Sequence, residues 1–102
     1  PQEDDTPKIG EFVYYEQEPV LISMPKPEYP ELERDANMEG KVTVSILVGK
    51  DGTAKKTEVK QSVAMFDDSA VKAATQSRWR PAMNNNKPLA VWVDMPINFT
   101  LH

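Results

Sequence analysis

Side chains able to do covalent chemistry are scarce in these 102 residues. Cysteine is absent, so there is neither a thiolate nucleophile nor a disulfide framework. The sole histidine, His102, ends the chain, and no serine has a histidine base in any motif. A metal site would need carboxylates, and the adjacent Asp67 and Asp68 are better used to cap a helix. Nothing around Glu58 and Asp94 marks them as a hydrolytic pair. No enzyme, no cofactor and no metal is therefore expected. What remains is the hydrogen-bonding chemistry of the backbone, and one stretch is patterned to offer it.

Residues 89–101 read L-A-V-W-V-D-M-P-I-N-F-T-L. Val91, Val93, Met95, Ile97, Phe99 and Leu101 alternate with Ala90, Trp92, Asp94, Pro96, Asn98 and Thr100, the period of a strand with one apolar face. Fully straight, such a strand would span roughly 40 Å, so fraying or bending is expected. Pro96 stands in its middle. Proline cannot donate to a ladder and is confined to edge strands, strand starts or bulges. The stretch is therefore expected at a sheet edge, where unpaired backbone groups are either a hazard or a docking site.

Composition sets the frame for that edge. The chain has the length of one small domain. At 39% apolar and 27% charged residues it reads as an ordinary globular chain. A net charge of −4 argues against nucleic acid or an anionic membrane as partner. No apolar run approaches the ~20 residues that span a bilayer. The chain opens on Pro1, without Met and without a signal-type segment, so Pro1 is expected to be a boundary within a longer protein.

The elements that must position the edge follow in chain order. Residues 1–8 are polar, acidic and flanked by prolines, the expected end of a linker. Residues 9–24 carry two apolar clusters, Phe12 to Tyr15 and Val20 to Ile22, between prolines that deny a helix. They form an extended N-terminal arm, either an added strand or a docked segment. The domain proper is placed at residues 25–102. Pro30 to Met38 is expected as a short helix, with Pro30 at its first position and Gly40 as its stop. Lys41 to Val48 alternates as a strand, Gly49 to Gly52 turns, and Thr53 to Ser62 returns. A second helix is expected from Ser69 to about Trp79, capped by Asp67 or Asp68, with Met65 or Phe66 as staple and Arg78 and Arg80 at its end. Residues 82–88 read as a loop.

This gives an α+β fold with element order α-β-β-α-β plus the extended arm. A right-handed crossover makes a three-stranded antiparallel/mixed sheet in the order second, first, third, with two helices on one face. The last strand is then an edge, independently of Pro96. The expected core is Leu32, Val42, Val44, Ile46, Val48, Val59, Val71, Ala74, Val93, Met95, Ile97 and Phe99. Parity refines the edge. If Pro96 avoids donating inward, the even residues Ala90, Trp92, Asp94, Pro96 and Asn98 face out and are the candidate partner-peptide binding residues. Trp92 and Leu47 share the face opposite the core, which is either a partner patch or a surface covered by the arm. Trp79 is expected in the core.

The set Tyr29-Pro30, Gly40-Lys-Val-Thr-Val, Asp51-Gly52, Asp68-x-Ala70-x-x-Ala73, Trp79-Arg80-x-Ala and Pro96-Ile-x-Phe-x-Leu101 resembles the C-terminal domain of the TonB family of periplasmic energy transducers. The resemblance covers roughly residues 25–101. Lys26 departs from it, standing where well-studied members carry Gln. The resemblance implies a binding module. It would capture the TonB-box peptide of an outer-membrane TonB-dependent transporter by β-strand addition, coupling proton-motive force to import such as iron–siderophore uptake. It further implies a periplasmic domain, anchored to the inner membrane by an N-terminal helix and driven by inner-membrane proton-channel motor proteins. Lys26, Tyr29 and Pro30 are the implied second contact, although Tyr29 fits equally well packed beneath the helix it precedes. A homodimer by strand pairing is open on the same edge. The alternative is a structural or sensory module of another envelope protein, TolA-like or the tail of a signalling protein.

Overall fold

The computed structural model describes residues 7–10 and 14–101. Its centre is a three-stranded antiparallel sheet of β2 (Gly40–Val48), β3 (Ala54–Gln61) and β7 (Val91–Phe99), in the order β3-β2-β7. The expected strand order holds, and β7 is the edge. The C-terminal pattern divides, however. Leu89 belongs to a separate short strand and Ala90 lies between the two, so Ala90 is not a rung of the edge.

α2 (Ala64–Thr75) covers one face of the sheet and buries Phe66, Ala70, Ala73 and Ala74. Its small side chains bring the helix close to Val42, Val44, Ile46 and Val48, all 0% exposed. Each such aliphatic side chain contributes about 1.5–3 kcal/mol by leaving water. The helix starts five residues earlier than its composition suggests. Asp67 is not the N-cap. It lies one turn in and reaches back, accepting from the Val63 N–H at 3.0 Å and from the Ser62 hydroxyl. That carboxylate satisfies orphan donors from inside the helix. Phe66 is then a core residue, while Met65 is 39% exposed.

α1 (Glu31–Asp35) is a little over one turn and buries nothing. Leu32, expected in the core, is 79% exposed. The helix is held by its ends instead. Pro30 is its N-cap, and its carbonyl accepts from Arg34 N–H at 2.9 Å. At the other end Asn37, at φ 57°, closes a Schellman turn with Met38 N–H on Glu33 O and Asn37 N–H on Arg34 O. Gly40 does not stop the helix. It opens β2, where a Cβ would come 3.2 Å from the Phe66 ring.

The stretch after α2 departs most from expectation. Arg78 and Arg80 are not at a helix end. They flank Trp79 on β4 (Arg78–Arg80), which pairs with β1 (Val20–Ser23) of the arm. Trp79 is core, its indole N–H donating to the Ser77 hydroxyl at 2.8 Å. Residues 82–89 form a hairpin, β5 (Ala82–Asn84) and β6 (Lys87–Leu89), turned by Asn85 and Asn86 at φ 55° and 62°. Two consecutive positive φ values are the two-residue hairpin turn that asparagine tolerates.

Candidate functional site

The register of β7 against β2 is unbroken over nine pairs, Gly40↔Phe99 to Val48↔Val91, and Thr43 faces Pro96. A ladder that runs through proline without a bulge must place it at a non-hydrogen-bonded pair. The even positions therefore turn their backbone groups outward. Trp92, Asp94 and Asn98 each present an N–H and a C=O, and Pro96 a C=O alone. Among the described residues no strand pairs with this side of β7.

The side chains along the edge are not equivalent. Asp94, Pro96 and Asn98 are exposed. Asp94 accepts from the hydroxyl of its cross-strand partner Ser45, which is 1% exposed. Trp92 is half-buried, and its indole N–H donates to the Pro7 carbonyl at 2.9 Å. Pro7, which composition assigns to the linker, is itself buried. With Leu47 only 1% exposed, the face opposite α2 is covered at this end. Val20 to Ile22 lie in β1, which pairs with β4, and all three are exposed. Phe12 and Val13 lie outside the described residues.

Tyr29 packs against the core rather than standing free. Its ring meets Phe66 edge-on at 5.5 Å and Phe99 at 5.8 Å, and its hydroxyl donates to the Met38 carbonyl. Burial pushes its pKa up, with Glu39 and Glu33 adding to the effect. The packed reading of Tyr29 describes this geometry, and the residue also lines a surface groove. Tyr29→Phe removes the link to Met38 while keeping the ring, and is expected to lower Tm by about 5 °C, read by circular dichroism.

That groove, of about 600 Å³, opens at the C-terminal end of β7. It brings Lys26 and Tyr29 beside Asn98 and adds Arg34, which the sequence did not single out. Pro30 is half-buried and stays at the helix cap, outside the lining. The patterning of α1 marks Arg34 only as a helix-end cation, so nothing local signals its place beside β7.

A helix-backed sheet whose last strand is open defines a small domain that presents a β-edge. The chain belongs to the family described as Gram-negative bacterial TonB protein C-terminal, whose model matches residues 25–101. It is similar to protein tonB2 of Pseudomonas aeruginosa, 34% identical over 80 residues that make up 76% of this chain and 30% of that protein. The chain thus spans less than a third of that relative. Its fold is similar to the solution NMR structure of the Pseudomonas aeruginosa TonB CTD, with TM-score 0.69, 25% identity, and coverage of 85% of this chain and 90% of that one.

Proposed function

We propose that this domain binds an extended peptide along the outer edge of β7, and that the peptide is the TonB box of an outer-membrane transporter. Trp92, Asp94 and Asn98 pair with it through N–H and C=O, Pro96 through C=O only. Lys26, Tyr29 and Pro30 lie on the side from which the rest of the transporter approaches. The domain works in the periplasm as a binding module, not a catalyst. In the full-length protein it is tied to the inner membrane and to proton-driven motor proteins through a preceding segment. Tension along that link couples the proton-motive force to import. The observation that supports the reading is the unbroken register through Pro96 on a strand with no outer neighbour among the described residues.

The test is an NMR titration of the chain with a panel of transporter N-terminal peptides. Shift changes and slowed amide exchange are expected at Trp92, Asp94 and Asn98. Changes confined to residues 30–38 would remove the edge from the mechanism. Asp94→Pro sharpens the test, because Asp94 faces Ser45 at the same kind of pair as Pro96, so proline there costs no inner rung. It is expected to weaken capture about tenfold, the loss of one backbone hydrogen bond. Asp94→Ala controls for the Ser45 contact and should bind normally. A second copy pairing through this edge would protect the same amides, but with a dependence on protein concentration that peptide capture lacks.

A further inference from the structure

The groove at the end of β7 has a chemistry of its own. Its apolar walls include Tyr29, Phe99 and Leu101, and Asn98 joins it to the open edge. Its charged lining residues are Lys26 and Arg34, both cations, in a chain of net charge −4. Both are exposed, and neither takes part in an ion pair or side-chain hydrogen bond among the described residues. Glu39, beside the groove, accepts the Leu101 N–H at 3.0 Å, and its charge, with that of Glu33, acts on Tyr29. Lys26 and Arg34 are the charged groups among the lining residues, beside the polar Asn98 and Thr100, so an anion entering between them would meet two cations.

We propose that Lys26 and Arg34 select an acidic side chain in the segment of the bound peptide that runs past the C-terminal end of β7. This rests on the β7 edge reading and gives that edge a sequence preference. Strand addition by itself is sequence-tolerant, because every residue supplies the same backbone groups. A peptide paired outside Asn98 continues directly into the groove, since Asn98 belongs to both. A carboxylate there meets two donors, and an apolar neighbour packs on Tyr29 and Phe99. The cations stand on two separate elements, Lys26 before Tyr29 and Arg34 on α1. The preference therefore requires the folded approach segment and not the strand alone.

The experiment uses the whole chain and the transporter-derived peptide that best protects the β7 amides. That peptide is resynthesised with one Asp, Asn or Lys just beyond its strand-pairing segment, at one flank or the other. At one flank Asp is expected to bind about fivefold more tightly than Asn, and Lys more weakly than Asn, as for exposed ion pairs. The difference should vanish when added salt shortens the Debye length from about 30 Å to about 3 Å. In the double variant Lys26→Glu, Arg34→Glu the order should invert, with the Lys peptide binding best. Since both side chains are exposed and unpaired among the described residues, circular dichroism should report an unchanged fold. Capture that is indifferent to flank charge at both ends overturns this proposal and leaves the edge reading standing. Failure of every peptide to bind overturns both.

Discussion

Phe66→Ala is expected to lower the unfolding free energy by about 3–5 kcal/mol, the range for deleting a fully buried phenylalanine. Phe66 is 0% exposed. Its ring stacks on Phe99 with centroids 4.4 Å apart and planes 9° from parallel, and meets Tyr29 edge-on. It also lies on Gly40, where the absence of a side chain makes room for it. Neighbours already in close contact with a rigid sheet cannot collapse into the vacancy, so the cavity cost adds to the lost transfer energy. Set against a typical domain stability of about 5–15 kcal/mol, the loss is a large fraction. Urea unfolding checks it: the midpoint should fall with the slope unchanged. The groove should suffer too, because Tyr29 and Phe99 are both its walls and the partners of Phe66. Leu32→Ala, by contrast, should stay within about 0.5 kcal/mol of the parent, since Leu32 is 79% exposed.

Gly52→Ala is expected to cost about 2–4 kcal/mol, for two reasons that compound. Gly52 holds φ 84°, a conformation L side chains rarely adopt, and a Cβ there would fall 2.2 Å from the Trp79 carbonyl oxygen. The obstacle is backbone, which cannot swing aside like a flexible side chain. Trp79 N–H also donates to the Gly52 carbonyl at 2.7 Å, and Thr53 bridges to Arg78. The β2–β3 turn is thus the dock for β4, and through β4 for β1 of the arm. A methyl group here pushes the two apart. Thermal unfolding should show the lower Tm. Amide exchange should quicken at Trp79 and Arg80 before the β2–β7 ladder loosens, because the damage lies at the turn.

The two substitutions separate what local sequence carries from what it does not. Positive φ at Gly52 is foreseeable from Asp51-Gly52 between two strands. The pressure of the Trp79 carbonyl on the same residue is not, because it joins positions far apart in the chain. Asp51 itself acts through its side chain, accepting from Thr53 N–H, the Thr53 hydroxyl and Lys55 Nζ. These bonds hold its carboxyl well below the usual carboxylate range, the Thr53 hydroxyl contributing most.

α1 shows the opposite failure. Leu32 and Ala36 sit four apart, which reads as a buried face, yet a single turn is too short to be held by a stripe. Tyr29 and the Schellman turn hold it instead, so the apolar pattern is incidental. In α2 the periodicity was legible, but its start was not. Asp67 caps from one turn inside the helix, and a carboxylate reaching back looks in sequence like one at the N-cap. The hairpin at Asn85 and Asn86 reads as a loop in sequence because its strands are three residues long and carry no alternation.

The sequence by itself determined the strand that matters here: its period, its core-facing residues, its place at the edge and the parity of its outward groups. All four follow from properties neighbours share along the chain, namely alternation across a pleat and the missing N–H of Pro96. Tertiary structure alone decided what surrounds that strand. It set Pro7 on Trp92 across a separation of 85 residues, and it gathered Lys26, Arg34 and Asn98 around one groove. Such meetings depend on how helices and turns pack in three dimensions, and no local pattern of side chains records them.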